Sequence, residues 1–489
     1  MLRKFNLMLA APIALVSLGT PSSAQYAGLR PAAPISPAER RQGAEASPAL
    51  ITEYGGAYAG TQAAYAVRVG RSIAVQTGLG ADPSAYTVTL LNSPVDNAFA
   101  TPGGYVYVTR QLMALMNDEA ELAAVLGHEI GHVAARHSAR REKVAQRNAI
   151  AGILGQLLVG AVAGNGGVGE LLSQGIGTGT QLATLKFSRA QETESDDLAI
   201  QYLTRAGYDP RALSTMLSSL AAQQRLDQGS SGKSLPAWAS THPDPQSRVQ
   251  RAAARAAATR VTNGVRNRNE FLRALDGMMY GEDPSQGVIE GTSFLHPALR
   301  IAFRIPQGFT MENGATAVTI TGPSAKAQFS TAAYDGNLRA YVNSVLSSLR
   351  GSGSGSAQVD VQETRINGIP AAYTQVRASS GSTPVDVTVF AYSPQGGQAY
   401  HFVALTPAGQ GLGAMSSMVQ SFRRMAPAEA AAIKPRFVRI VATKAGDTTA
   451  SLSQRMAYDD RKLERFMVLN GLTQSSRLTP GQRVKVITR

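Results

Sequence analysis

The chain of 489 residues contains no cysteine. This absence excludes disulfide bonds, thiolate nucleophiles, cysteine-type zinc sites and a lipid-modified N-terminal cysteine. Histidine is scarce, with six in the chain, so any metal site has to be built from these histidines and from carboxylates. The sequence also shows no internal repeat with a period of roughly 20–50 residues, which argues against a helical solenoid.

Charge is unevenly distributed. Apolar residues make up 44% of the chain and charged residues 16%, which is typical of a folded protein, and the length suggests about three domains. The net charge is +14, and residues 434–489 hold 12 Lys and Arg against 4 Asp and Glu, a net +8. Such a basic segment favours an anionic partner, either nucleic acid or an anionic membrane or cell-wall polymer.

The start of the chain favours the second kind of partner and argues against nucleic acid. Residues 1–24 combine the basic pair Arg3 and Lys4 with a short apolar stretch and small residues before a cleavage point near Ala24. This pattern predicts a signal peptide, and the apolar stretch is too short to span a bilayer. We therefore expect a periplasmic protein, secreted across the inner membrane.

Four segments follow the predicted signal peptide. Residues 25–54 indicate a flexible lead-in, 55–280 a mainly helical domain with a small β-sheet, 285–426 an α+β domain, and 434–489 a small basic domain. The predicted fold class is therefore α+β and multi-domain. Within the helical domain, the apolar stretch 149–163 is too short for a membrane span and indicates a buried helix or a peripheral membrane contact.

The strongest motif is His128-Glu129-Ile130-Gly131-His132. In a helix, His128 and His132 lie one turn apart on one face, where both imidazoles can bind one zinc ion. Glu129 lies beside that face and can accept a proton from the attacking water. His137 falls five positions after His132, about 140° around a continued helix, so we expect it to point elsewhere in a surface or structural role.

A catalytic zinc site needs three protein ligands and one open position. Without cysteine, the third ligand has to be His, Asp or Glu. Glu192 and Asp196 lie four residues apart and so share one face of a predicted helix. Glu192 can bind the metal, and Asp196 can accept the outer N–H of a metal-bound histidine.

These two motifs resemble the gluzincin metalloproteases, the family of the CAAX prenyl protease, the heat-shock protease HtpX, the mitochondrial Oma-type protease and the periplasmic beta-barrel assembly-enhancing protease. Members carry His-Glu-x-x-His and then, on a later helix, Glu-x-x-x-Asp, usually with alanine where this chain has Ser195. Asn97–Gly104 is similar to the family's Asn-Ala segment, and His242–Arg248 is similar to its His-Pro-x-x-x-x-Arg. The resemblance covers about 55–260.

The resemblance implies a zinc metalloendopeptidase (a hydrolase of the EC 3.4.24 type) with one Zn²⁺ per chain. It implies that Glu129 is the general base and that His242, Arg248 and Asn97 are catalytic residues near the oxyanion. It also allows a second role for His242, as a fourth ligand that occupies the open zinc position and keeps the enzyme latent. The sequence leaves both roles of His242 open.

Residues 434–489 resemble a LysM module, a strand–helix–helix–strand (βααβ) domain. The matching features are Gly446-Asp447-Thr448, Asn470 and Pro480-Gly481-Gln482. The resemblance implies binding to glycans that contain N-acetylglucosamine, here peptidoglycan, and a small basic packing domain is the alternative.

The predicted function is proteolysis of misfolded or unassembled envelope proteins, a form of protein quality control. Two alternatives stay open at this point. One is a peptidoglycan-bound chaperone or scaffold with a mostly latent protease site, and the other is a peptidoglycan-cleaving metalloenzyme. The expected partners are unfolded envelope polypeptides, peptidoglycan through 434–489, and a membrane surface through 149–163.

Overall fold

The computed structural model describes most of the chain with several gaps. The described residues are 34–78, 85–140, 187–228, 238, 242, 245–314, 316–350, 359–380, 383–395 and 397–489. The predicted signal peptide and the apolar stretch 149–163 lie outside them. Among the described helices, none is both long and apolar enough to cross a bilayer.

The first part of the chain is mainly helical, as the sequence predicts. Its helices are α1 (Pro37–Glu53), α2 (Thr61–Ala74), α3 (Arg110–Leu115), α4 (Glu119–Ala134), α5 (Arg189–Arg205), α6 (Ala212–Gln228), α7 (Pro245–Ala258) and α8 (Arg268–Leu275). Its strands are β1 (Thr87–Leu91), β2 (Ala98–Thr101), β3 (Tyr105–Thr109) and β4 (Met279–Tyr280). Strands β1 to β3 form a sheet in the order β1-β3-β2, with β2 at an edge.

Helix α1 differs from the flexible lead-in that the sequence indicated over 25–54. Ser36 caps its start: the Ser36 side chain accepts from the backbone of Glu39, and the Glu39 side chain accepts from the backbone N–H of Ser36. Such a reciprocal capping box satisfies helix-start donors that would otherwise lack partners. The buried side chains Leu50, Phe99 and Tyr107 then pack α1 against the sheet.

Helix α4 carries the histidine motif and is held firmly at its start. The Asp118 side chain accepts from Glu121 N at 3.0 Å and caps the helix. The buried Glu119 carboxylate accepts hydrogen bonds from four side chains, which are Tyr65, Arg68, Tyr208 and Asn267. The helix ends at Ala134, because Arg136 adopts a left-handed φ of 54°.

The middle part of the chain is a sheet–sheet–helix sandwich. Its strands are β5 (Val288–Glu290), β6 (Ser293–His296), β7 (Ile301–Arg304), β8 (Thr310–Asn313), β9 (Val318–Thr321), β10 (Lys326–Thr331), β11 (Gln362–Ile366), β12 (Ile369–Ser380), β13 (Thr383–Gln395), β14 (Gln398–Pro407) and β15 (Arg423–Arg424), and its helices are α9 (Leu338–Arg350) and α10 (Ser416–Ser421). Seven antiparallel strands form one sheet in the order β11-β12-β13-β14-β10-β9-β8, and four form a second in the order β15-β7-β6-β5.

Two apolar layers hold this sandwich together. Aromatic side chains such as Phe303, Phe329 and Phe402 fill the space between the two sheets. Val342 and Leu346 of α9 pack on the other face of the larger sheet. The α+β class predicted for 285–426 agrees with this architecture.

The C-terminal part contains α11 (Pro427–Ala432), β16 (Arg436–Ala442), α12 (Thr449–Ser453), α13 (Lys462–Leu469) and β17 (Arg483–Thr488). The strand–helix–helix–strand order agrees with the sequence, while its identity as a LysM module stays a prediction. Strand β16 pairs with both β17 and β4, so this part extends a sheet from the helical part. Its apolar side chains, among them Phe466 and Val486, belong to the same core as Leu112 of α3.

Candidate active site

Helix α4 places His128 and His132 one turn apart, as their spacing predicts. Both side chains are buried, and their Nε2 atoms are 3.0 Å apart. Helix α5 supplies Glu192, which is also buried and whose carboxylate lies 3.5 Å from His128 Nε2 and 3.4 Å from His132 Nε2. The structure thus brings together the three residues predicted as metal ligands.

A close helix contact sets the distance between these ligands. A Cβ at Gly131 would lie 2.7 Å from Ser195 Oγ, so any larger residue would require Ser195 to shift where α4 meets α5. The hydroxyl of Ser195 is buried and donates to the backbone carbonyl of His128. This hydrogen bond accommodates a serine at the position where the sequence departs from the family's usual alanine.

His242 joins the cluster as a fourth group. Its Nδ1 lies 3.0 Å from Glu192 Oε1 and 3.3 Å from His128 Nε2. One ligand atom from each of His128, His132, Glu192 and His242 lies within 4.8 Å of the others. Trp238 stacks on the His242 ring with centroids 4.8 Å apart, and the backbone N–H of Trp238 donates to Asp96 O, just before β2.

The donor set fits a metal cation. Asp196 Oδ1 lies 3.0 Å from His128 Nδ1, so a neutral His128 carries its proton on Nδ1 and leaves a lone pair on Nε2. That lone pair faces His132 Nε2 and the Glu192 carboxylate, which places acceptors against acceptors. Although burial opposes a charge on His128, Asp196 and Glu192 raise the pKa of its imidazole to about 9. The cluster therefore strongly favours a positive charge at its centre.

The Glu192 carboxylate stays ionised despite its burial. Burial disfavours the charged form, but His242 and the two α4 histidines hold the pKa of Glu192 well below its usual value. Arg248 adds a buried positive charge, with Nη1 2.6 Å from Glu192 Oε2. An ionised carboxylate is the form that binds a metal.

Arg248 lies on the carboxylate side of the site. Its Nε and Nη2 donate to Asp196 at 2.9 and 2.6 Å, a bidentate pair. Burial again opposes the charge, but Arg248 and His128 lower the pKa of Asp196 to about 2. The guanidinium thus orients Asp196, which in turn contacts His128. Its predicted contact with the oxyanion stays a prediction.

Asn97 directly precedes the edge strand β2 and is buried. Its side-chain Nδ2 donates to Tyr54 OH at 3.0 Å, and its Oδ1 has no hydrogen-bond partner among the described residues. Its role near the oxyanion also stays a prediction.

Glu129, which the motif predicts to be the catalytic carboxylate, lies beside the ligand cluster. Both of its oxygens are buried and lack a hydrogen-bond partner within the described part of the chain, and His242 Nε2 lies 3.4 Å from Oε1. Burial raises the pKa of Glu129, while the nearby His242 and His128 oppose this rise. A buried carboxylate with free acceptor capacity is suited to accept a proton.

The prediction that His137 points away from the ligand histidines is wrong, and so is a surface role, whereas a structural role stays a prediction. His137 is fully buried and lies inside the site, with its Nδ1 2.8 Å from His132 Nδ1. The extrapolation of 100° per residue fails because α4 ends at Ala134 and Arg136 turns the chain back. Phe187, which stacks on the His132 ring at 3.8 Å between centroids, carried no recognisable motif.

Known proteins match this region of the chain. The family model Peptidase family M48 matches residues 61–256. The beta-barrel assembly-enhancing protease of Escherichia coli O157:H7 is 38% identical over 170 residues, which are 34% of this chain and 34% of that protein. The mitochondrial metalloendopeptidase OMA1 of Schizosaccharomyces pombe is 33% identical over 218 residues, 44% of this chain and 59% of that protein.

A third relative, the metalloprotease LoiP of Escherichia coli K12, is 37% identical over 135 residues, 27% of this chain and 49% of that protein. The chain thus spans about a third of the length of the beta-barrel assembly-enhancing protease and about half of LoiP. The matched segment contains the histidine motif, the Glu192–Asp196 pair and His242, which the fold gathers around one buried centre. Residues 61–256 are therefore similar to the Peptidase family M48 both in sequence and in the residues gathered at this centre.

Proposed function

We propose that this protein is a zinc-dependent metalloendopeptidase. The observation that carries the proposal is the buried cluster of His128, His132 and Glu192 with the Glu129 carboxylate beside it, whose oxygens accept no hydrogen bond within the described part of the chain. Two imidazoles and one carboxylate form a ligand set that is typical of catalytic zinc in hydrolases. When bound, the metal polarises the scissile carbonyl and activates the attacking water.

The side chains around the metal site would transfer the proton, orient a ligand and compensate charge. Glu129 accepts the proton of the attacking water and later gives it to the leaving amine, and its raised pKa makes it a stronger base than an exposed glutamate. Asp196 Oδ1 lies 3.0 Å from His128 Nδ1, which favours the tautomer whose Nε2 lone pair faces the ligand cluster. Arg248 compensates the negative charge of both carboxylates.

The position of His242 favours the latent state over the oxyanion role. Its Nδ1 lies among the ligand atoms, and its Nε2 lies 3.4 Å from Glu129 Oε1. One ring would thus serve as the fourth ligand of a bound metal while it contacts the proposed general base. A substrate has to displace His242 before the water and the scissile carbonyl can enter. The oxyanion role is the second candidate, because a displaced imidazole stays close enough to donate.

We propose misfolded or unassembled envelope proteins as substrates, in periplasmic quality control. Support comes from the predicted signal peptide and from the relatives, one of which is named for enhancing beta-barrel assembly. Residues 434–489 are the proposed contact with peptidoglycan. The loops 444–448 and 473–481 lie side by side, since Gly481 N–H donates to Thr443 O and Thr443 N–H donates to Gln482 O, and both loops are largely exposed.

Cleavage of two polymers separates the proposal from its alternatives. We expect the purified protein to cleave unfolded casein and to leave isolated peptidoglycan intact, and the Glu129→Gln variant to lose the casein cleavage. Release of glycan or peptide fragments from cell walls, dependent on Glu129, would instead identify a peptidoglycan-cleaving enzyme. Binding of casein with no cleavage, even by the His242→Ala variant, would identify a chaperone or scaffold.

A further inference from the structure

A chain of hydrogen-bonding groups leads from the metal-site histidine His132 to the surface. Its first link joins His132 Nδ1 to His137 Nδ1 over 2.8 Å. The second joins His137 Nε2 to Glu194 Oε2 over 3.1 Å. Arg140 Nη1 lies 2.9 Å from the same Glu194 oxygen, and the Glu194 side chain is 44% exposed. None of these contacts belongs to the peptidase chemistry described above.

The donors and acceptors in this chain can be assigned in one consistent way. A carboxylate paired with an arginine is an acceptor only, so His137 carries its proton on Nε2 and donates it to Glu194. The Nδ1 of a neutral His137 is then an acceptor. His132 therefore carries its proton on Nδ1, and its Nε2 lone pair faces the ligand cluster.

Other contacts fix these groups without selecting the tautomer. Phe187 stacks on His132 with an interplanar angle of 23°, which restricts the ring plane but permits a half-turn about the Cβ–Cγ bond. Gln191 Nε2 donates to the backbone carbonyl of His137 at 3.2 Å and holds that segment against α5. Within the described part of the chain, His132 Nε2 faces His128 and Glu192 of the ligand cluster, and the hydrogen bond to His137 engages the other ring nitrogen, Nδ1.

We propose that His137 is a positioning residue, which holds His132 in the Nδ1–H tautomer with Nε2 toward the metal, and that Glu194 sets the tautomer of His137. The proposal rests on the metal site of the proposed function. It gives the two histidines of α4 separate supports: Asp196 for His128, and the His137–Glu194 pair for His132. Outer supports of this kind typically contribute about 10–100-fold to metal affinity.

Two substitutions at His137 separate the hydrogen bond from packing. His137→Phe keeps a ring of similar size but removes the acceptor. His137→Asn places an amide oxygen near the position of Nδ1 and restores the acceptor. His296→Phe is the matched control, since His296 lies in the middle part of the chain, away from the cluster. Zinc affinity is measured by competition with a chromophoric chelator, beside the urea midpoint of each protein.

We expect His137→Phe to lower zinc affinity about 10–100-fold, His137→Asn to recover most of this loss, and His296→Phe to match the wild type. Equal affinity in all four proteins would overturn the proposal. So would a loss in His137→Asn as large as in His137→Phe, because packing would then explain both.

A second measurement needs neither metal nor a His137 variant. Nitrogen-15 NMR of labelled histidines in the metal-free protein reports which ring nitrogen carries the proton, and the chain has six histidines to assign. We expect His132 to be protonated on Nδ1 in the wild type and to become a mixture of tautomers in Glu194→Met. An Nε2–H tautomer of His132 in the wild type would refute the proposal. Failure of the wild type to bind zinc would refute the proposed function and leave this tautomer result to stand separately.

Discussion

Replacing Lys485 with methionine should destabilise the protease domain, although Lys485 lies near the C-terminus. The side chain is fully buried, and its Nζ donates to the carbonyls of Ala114, Leu115 and Met116 at 2.7, 3.2 and 2.5 Å. These carbonyls end α3, directly before the helix that carries the histidine motif. The last carbonyls of α3 have no N–H partner within the helix, and the Lys485 ammonium donates to them instead. Lys485 thereby connects strand β17 to the core of the protease domain.

The expected cost follows from two opposing contributions. Each hydrogen bond from a charged donor is worth about 1.5–3 kcal/mol, and the carbonyls left behind would be buried without partners. Burial of the ammonium offsets part of this gain, and burial also lowers the pKa of Lys485 well below its usual value. We therefore expect Lys485→Met to reduce the free energy of unfolding by about 2–4 kcal/mol, about a 1 M shift in urea midpoint at a typical slope of about 3 kcal/mol/M.

Unfolding of the protease domain can be followed by tryptophan fluorescence, because the single tryptophan, Trp238, lies in that domain against His242. Its fluorescence during urea unfolding reports the protease domain, while circular dichroism reports the whole chain. Lys444→Met is the matched control, since Lys444 is exposed in the same C-terminal part. If the Trp238 transition of Lys485→Met coincides with that of the wild type, the C-terminal part is not part of the protease folding unit and the reasoning fails.

Three further predictions concern the site and the middle sandwich. His242→Ala should increase turnover of unfolded casein if His242 is a latch, whereas a loss of about 10²–10³-fold would assign it to the oxyanion. Glu192→Ala should lose tightly bound zinc in metal analysis, and one retained zinc per chain would show that another residue is the third ligand. Burial lowers the pKa of His401 to about 4 from an ordinary 6.5, so the unfolded chain takes up this proton first. The free energy of unfolding should therefore fall by up to about 3 kcal/mol between pH 6.5 and 4, a dependence that urea titrations should find reduced in His401→Asn.

The sequence was most informative where spacing alone determines geometry. His128, Glu129 and His132 lie in a regular helix, so their relative positions follow from 3.6 residues per turn. Glu192 and Asp196 follow the same rule on α5. The distance between α4 and α5 depends on the contact between Gly131 and Ser195. The spacing of residues along the sequence does not specify this contact.

Residues whose positions depend on irregular backbone were predicted less well. His137 entered the site because α4 ends at Ala134, two residues before a left-handed arginine. Helix α1 was missed although Ser36 and Glu39 have the spacing of a capping box, the pattern that could have revealed it. Lys485 illustrates a third limit: lysine is almost never fully buried without a partner, and its partners here lie about 370 residues earlier in the chain.

The central claim is that a metal held by α4 and α5 works with Glu129 to hydrolyse peptide bonds. The most direct test compares the parent protein with its Glu129→Gln variant for cleavage of unfolded casein and for zinc content in the same samples. The pair is made in both the wild-type and the His242→Ala backgrounds, so that a latent site does not hide the chemistry. We predict that Glu129→Gln retains the zinc and loses about 10²–10⁴-fold in turnover. Equal cleavage by the Glu129→Gln variant and its parent at equal zinc content would contradict the account.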